Sequence, residues 1–302
     1  MFSVETYNVD HLIGQQVGTS TLIKELARGG MGIVFIAYQR TLKRQIAVKI
    51  LPKSFLSPQT AQRFQQEAEA AAILSHPNII PIYEVGETNE FLFFTMQLIQ
   101  GSALSEMLKK TRKHILPSKR VLPLPEAMRI TIQVLDALDY AHREGIIHRD
   151  IKPENILIEH HTQRPLISDF GIAKVLGGED VDSAIQGTPV YMAPEQIIGS
   201  QLDGRADIYA VGVMLFEMLV PELPLPRYES TISFLRQKVR DRNGIFLKKP
   251  SELNPALNNH MDTILQRATA YGPDQRFATC RDFIKSLEWY QQLYLQETIE
   301  LH

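Results

Sequence analysis

The chain has 302 residues, 44% hydrophobic and 22% charged, enough for one large domain or two lobes with a sizeable core. Its 32 basic and 34 acidic residues leave a formal net charge of −2, which excludes a whole-protein attraction to nucleic acid or an anionic membrane. The one cysteine, Cys280, excludes an internal disulfide and fits a reducing compartment.

The N-terminus lacks the basic-then-apolar pattern of a signal peptide, and no run of about 18 apolar residues offers a membrane span. The expected location is therefore cytoplasmic. Residues 1–20 are polar and weakly patterned and are predicted as an N-terminal extension of uncertain structure. From Thr21 the pattern is strand-like, with Ala27-Arg28-Gly29-Gly30-Met31-Gly32 joining two β-rich runs. This reads as a hairpin whose glycines let backbone N–H groups approach a ligand and cradle phosphate oxygens. An ordinary tight hairpin gives the same pattern. The turn opens no helix and lacks a G-K-[ST] ending, so neither a dinucleotide fingerprint nor a Walker loop is present.

Gln45-Ile46-Ala47-Val48-Lys49-Ile50-Leu51 is an apolar strand carrying one lysine. Lys49 either snorkels from an edge or stays charged beside a carboxylate. Ser57-Pro58 starts a helix that contains Glu67 and Glu69 and stops at Ser75-His76-Pro77-Asn78. The stretch from Ile79 to Val85 and that from Phe91 to Leu98 are predicted strands, the second almost continuously apolar. After Gly101 the pattern turns helical. Lys109, Lys110, Arg112, Lys113, Lys119 and Arg120 cluster around a proline-containing loop. This cluster reads as a solvated loop, with a docking patch for an acidic partner as the sharper alternative. Pro125-Glu126 opens a long helix ending at Gly145, with Ile130, Val134, Leu138 and Ala141 on one face.

His148-Arg149-Asp150-Ile151-Lys152-Pro153-Glu154-Asn155 follows, between Ile146-Ile147 and Ile156-Leu157-Ile158. It is predicted as a polar loop pinned at both ends by short buried strands. Asp150 can accept a proton, Lys152 is a positive charge, and Asn155 offers an amide oxygen to a metal. Asp169-Phe170-Gly171, a polar loop to Gly187, Thr188, and Ala193-Pro194-Glu195 come next. An apolar helix runs from Asp207 to Leu219, and an amphipathic tail without an evident partner begins at Trp289. The histidines show no metal-ligand spacing; His148 is predicted to pack in the core beside Phe170.

Taken together, Gly29-Gly30-Met31-Gly32, Tyr140-Ala141-His142, Gly171-Ile172-Ala173-Lys174 and Tyr191-Met192-Ala193-Pro194-Glu195-Gln196, with the loop around Asp150, resemble the bacterial branch of the eukaryotic-like Ser/Thr protein kinases. The resemblance covers about Leu22 to Leu287. It implies an α+β, two-lobed fold: a β-rich N-lobe with one main helix over 21–97, a mostly helical C-lobe over 98–288, and a helical tail over 289–302. It implies ATP with Mg²⁺, or Mn²⁺ in its place, and protein substrates carrying Ser or Thr acceptors. ATP would be held by Ala27, Gly29, Gly30, Gly32, Val34, Ala47 and Lys49, with Glu67 as the partner of Lys49. Met96 would sit behind the adenine, and Gln97 through Ile99 would form the hinge. The chain departs from the family at Ala27, where glycine is usual.

The resemblance further assigns Asp150 and Lys152 to catalysis and Asn155 and Asp169 to the metal. Thr188 would bond Asp150 and Lys152, Glu195 would pair with Arg276, and Asp207 would accept backbone hydrogen bonds from the loop. Arg149 implies activation by a negative charge on the segment 171–187, where Ser183 is the one Ser or Thr. Members also pair through the N-lobe, and many continue into a linker, a membrane span and an extracellular sensor. A complete catalytic set disfavours a pseudokinase or nucleotide-binding scaffold, and the 188–195 segment disfavours a small-molecule kinase.

Overall fold

Strands form where β-branched and aromatic residues alternate, and the hairpin around Gly32 shows why one position must be glycine. Gly29 and Gly32 are register partners, φ at Gly32 is +121°, and a Cβ there would lie 2.6 Å from the carbonyl oxygen of Ile50. The computed structural model describes residues 8–29, 32–116, 119–170 and 189–300, without the side chains of 58–60, 63, 67 and 294–300. The chain divides into two units: Met1–Gln100 with Asp169–Gly187, and Gly101–Ser168 with Thr188–His302.

The first unit is a six-stranded antiparallel sheet in the order β1-β2-β3-β4-β6-β5. Its strands are β1 (Gln16–Val17), β2 (Ser20–Gly29), β3 (Gly32–Gln39), β4 (Arg44–Pro52), β5 (Ile82–Glu87) and β6 (Phe91–Met96), and helix α1 spans Pro58–Ala72. One sheet face is sealed by Leu22, Ile33, Phe35, Ala37, Ile46, Val48, Ile50, Phe91 and Phe93. Val9, Leu12 and Val17 join that core. Within the extension predicted to have uncertain structure, the described residues fold: Asp10–Leu12 is a 3₁₀ turn and β1 pairs with β2. Its three apolar residues fit neither a period of 2 nor one of 3.6, so periodicity misses them. On the other face, α1 presses Phe64 against Leu51, Leu92 and Phe94.

The second unit is mainly helical: α2 (Leu104–Arg112), α3 (Leu124–Arg143), α4 (Pro194–Ile198), α5 (Arg205–Leu219), α6 (Thr231–Arg240), α7 (Pro250–Leu253), α8 (Asn259–Ala268) and α9 (Cys280–Glu300). A small sheet orders β7 (Gly101–Ala103), β8 (Ile156–Glu159) and β9 (Pro165–Ile167). Helix α5 is buried at every position from Ala206 to Leu219, which makes it the hydrophobic axis of this unit. Its Gly212 allows α8 to approach, since a Cβ there would lie 2.7 Å from that of Ala268. α3 and α9 pack on each other, and α9 buries Phe283, Ile284, Leu287 and Tyr290.

Two local expectations change. No strand precedes the polar loop: Ile146 and Ile147 are half-buried and lie in no ladder. The tail from Trp289 is the continuation of α9, and it has a partner, because the Trp289 indole meets the His260 ring of α8 edge-on at 5.0 Å. The basic cluster 109–120 is largely exposed, although Arg112 is bound to Glu217.

Candidate active site

In the first unit, strand register gathers the residues expected to bind a nucleotide onto one face. Ala27 pairs with Val34, Val34 with Lys49, and Lys49 with Phe94. One step along, Ala47 pairs with Met96. Residues two apart on a strand share a face, so these side chains form one surface opposite the sealed core. α1 covers the part of it around Leu51, Leu92 and Phe94, and Met96 packs against that cluster. Gln97 and Ile99 follow directly after β6 and are half-buried. Gly29 and Gly32 close the hairpin at the rim; Gly30 lies outside the described residues.

Lys49 is 4% exposed, and its Nζ lies 2.6 Å from Asp169 Oδ1. A buried ammonium needs such a partner, since desolvation otherwise outweighs its attractions. Asp169 holds φ at +61°, a conformation unusual for a non-glycine residue. The side chain of Glu67, expected to pair with Lys49, lies outside the described residues. The partner that the structure does display is the carboxylate expected to hold a metal.

In the second unit, Asp150 is the centre of a small network. Lys152 Nζ lies 3.0 and 2.8 Å from its two carboxylate oxygens. The Asn155 amide donates to the Asp150 carbonyl at 2.8 Å and to its Oδ2 at 2.9 Å. The Asn155 amide nitrogen is thus spent on Asp150, and its oxygen is the atom that the resemblance assigns to a hard cation.

The loop is anchored from below by Asp207, 1% exposed at the start of α5. Its carboxylate accepts from the backbone N–H groups of His148 at 2.9 Å and Arg149 at 2.8 Å, and it contacts His142 Nε2 at 2.7 Å. The strand expected at Ile146-Ile147 is absent, and the Ile146 N–H is taken instead by the Ala141 carbonyl of α3 at 2.9 Å. Burial works against ionisation of Asp207, but the hydrogen bond and charge of His142 and the loop donors outweigh it and hold the carboxyl below its ordinary range. Arg149 sits at φ +68° and is held from both sides, because the Gln196 amide donates to its carbonyl at 2.9 Å. The same amide accepts from Ala193 N–H at 2.8 Å.

His148 is fully buried, as expected for a core residue. Its Nδ1 accepts from the Asp150 N–H at 3.2 Å, so Nε2 carries the proton donated to the Ser168 carbonyl at 2.8 Å. Glu195 and Arg276 form the expected pair, bidentate at 2.6 and 2.8 Å, with Arg276 buried. Thr188 and Ser183 lie outside the described residues. Gln196, His142 and the buried Lys238 are the residues of this region that sequence reasoning assigned no role. Gln196 and His142 had a signal, their places in the spellings Tyr191-Met192-Ala193-Pro194-Glu195-Gln196 and Tyr140-Ala141-His142; Lys238 had none.

Among the described residues no three His, Cys, Asp or Glu side chains form a metal cluster by themselves. Nor is any described helix long and apolar enough to cross a membrane.

Comparison with known proteins agrees with this geometry. The protein kinase domain family matches residues 20–289. The serine/threonine-protein kinase pkn3 of Myxococcus xanthus is 35% identical over 94% of this chain and 52% of its own length. A probable serine/threonine-protein kinase of Streptomyces coelicolor is 35% identical over 87% of this chain and 38% of its own length. PrkC of Bacillus subtilis is 33% identical over 90% and 40%. The chain thus spans about half or less of the length of these relatives. The crystal structure of the PknI kinase domain of Mycobacterium tuberculosis superposes with a TM-score of 0.72 at 29% identity, covering 91% of this chain and 98% of that one. By fold, by site and by sequence, the chain belongs to the protein kinase family, among the bacterial serine/threonine-protein kinases.

Proposed function

We propose that this chain transfers the γ-phosphoryl group of ATP to Ser or Thr hydroxyls of proteins, in the cytoplasm, with Mg²⁺ as the preferred cation and Mn²⁺ as a substitute. The observation that carries the reading is the Asp150 network: one carboxylate held by Lys152 and Asn155, on a loop bolted to buried Asp207. Asp150 orients the acceptor hydroxyl and takes its proton. Lys152 offsets charge on the transferred group. Lys49 holds the ATP phosphates, Glu67 its expected partner. The apolar surface of Ala27, Val34, Ala47 and Met96 receives the adenine, whose edge is read by backbone groups of 97–99. Asp169 and Asn155 are the oxygen donors for the cation. When bound, the cation neutralises phosphate charge and holds the phosphates in line. Phosphoryl transfer depends on positioning and electrostatics more than on covalent chemistry, which suits a site of fixed charges.

The domain division 21–97 and 98–288 and self-association through the N-lobe belong to the same proposal. The test is incorporation of label from γ-labelled ATP with Mg²⁺ into a generic protein acceptor by wild type, Lys49→Met and Asp150→Asn. Both variants are expected to fall by roughly 10²-fold or more with unchanged circular dichroism. Equal incorporation by all three would remove the phosphotransfer reading.

A further inference from the structure

Lys238 of α6 is 1% exposed, and no part of the mechanism above uses it. Helix α6 starts at Ser230, whose hydroxyl oxygen accepts from Ser233 N–H at 3.1 Å, so the register that delivers Lys238 inward is set at its first turn. The Nζ donates to the carbonyls of Pro189 at 3.2 Å and Val190 at 2.6 Å. It also lies 4.7 Å from the centre of the Tyr209 ring and 5.9 Å from that of Phe234. Among the described residues it has no carboxylate at ion-pair distance.

Residues 189 and 190 belong to no helix or strand, and Val190 is buried. Among the described residues no backbone N–H reaches either carbonyl. A buried carbonyl without a donor is costly, so the path of this segment depends on the lysine. The next residue, Tyr191, is fastened separately by its hydroxyl to Glu217 of α5. Three consecutive residues are thus gripped by two helices, directly before Ala193 and Pro194.

We propose that Lys238 is a positioning residue for acceptor binding: by holding the carbonyls of Pro189 and Val190 it sets the backbone on which the protein substrate docks, so that α6 governs acceptor affinity. Burial first, and the nearby Arg276 charge second, push the Lys238 ammonium well below its ordinary value. Even the neutral amine keeps two N–H groups, as many as the two carbonyls take up. The acceptor-binding role rests on the phosphotransfer reading and on the resemblance that makes 188–195 the protein-acceptor segment; the hold on 189 and 190 does not.

Lys238→Met, which is nearly isosteric and has no donor, and Lys238→Gln, which keeps a neutral one, test it. Amide hydrogen exchange over 189–193 is measured together with steady-state kinetics against ATP and a protein acceptor. In Lys238→Met, exchange there is expected to rise about tenfold and the acceptor KM roughly tenfold, with the ATP KM unchanged and Lys238→Gln intermediate. Unchanged exchange with unchanged acceptor KM overturns the proposal, as does an equal rise in both KM values. If Lys238→Met fails to fold, Lys238→Gln carries the same comparison. Should wild type phosphorylate no acceptor, the phosphotransfer reading falls and the acceptor role with it, whereas unchanged exchange over 189–193 beside an active wild type overturns the Lys238 proposal alone.

Discussion

Asp207 lies under the loop that carries Asp150, and it holds Arg149 in a backbone conformation that the residue would not choose alone. Such strained positions persist only where the surroundings over-determine them. Here the N–H is bound by a carboxylate and the C=O by the Gln196 amide. Because the Asp207 carboxyl is depressed in the folded state, it contributes stability that is present above its unfolded pKa of about 3.9. That contribution is lost as pH falls through the lower folded value. Asp207→Asn should therefore lower the urea midpoint at about pH 6, and the gap from wild type should narrow as pH drops below about 4. Parallel midpoints across that range would show that the carboxylate charge does not anchor the loop.

At the scale of elements, the short helix α4 is held by its ion pair. Glu195 reaches across to Arg276, which also donates to the carbonyls of Ala270, Arg205 and Tyr271. One guanidinium thus ties α4, the start of α5 and the turn after α8. Its charge is fully desolvated, so the whole value of the arrangement lies in complete hydrogen bonding. Arg276→Met leaves the Glu195 carboxylate buried without its partner. Chemical denaturation should register a loss of about 3–5 kcal/mol, and a change under about 1 kcal/mol would mean that α4 is held by packing instead. The sheet of the first unit follows a different logic. One face is spent on a sealed core, and the other is shared between α1, which packs on Leu51, Leu92 and Phe94, and the row Ala27, Val34, Ala47, Met96 proposed for the adenine.

At the scale of the whole molecule, the chain belongs to a family of which the relatives compared are about two to three times its aligned length. Arg149, in the second unit, motivates the expectation of a negative charge on the segment 171–187. Phosphopeptide mapping after incubation with ATP and Mg²⁺ should place phosphate on Ser183 in wild type and none in Asp150→Asn. Absence of phosphate from Ser183 in the wild type would sink this activation scheme.

The sequence by itself determined the strands and helices that carry clear periods and the order of the motifs, and through their resemblance to a family it determined the fold class. The first of these depends on local patterns: period-2 runs for the strands and period-3.6 faces such as that of α3. Even the Glu195–Arg276 pair and the anchoring by Asp207 were legible, though only through resemblance, because nothing local links residues so far apart. What tertiary structure decided was partnership. Lys49 against Asp169, Gln196 against Arg149 and Lys238 against Pro189 and Val190 join distant positions through buried hydrogen bonds with no periodic trace. The same holds for Val9, Leu12 and Val17, whose burial follows from the sheet they cap and not from their own spacing. Burial is a property of what packs on a residue, and desolvation makes each buried polar group find its partner wherever the chain brings one.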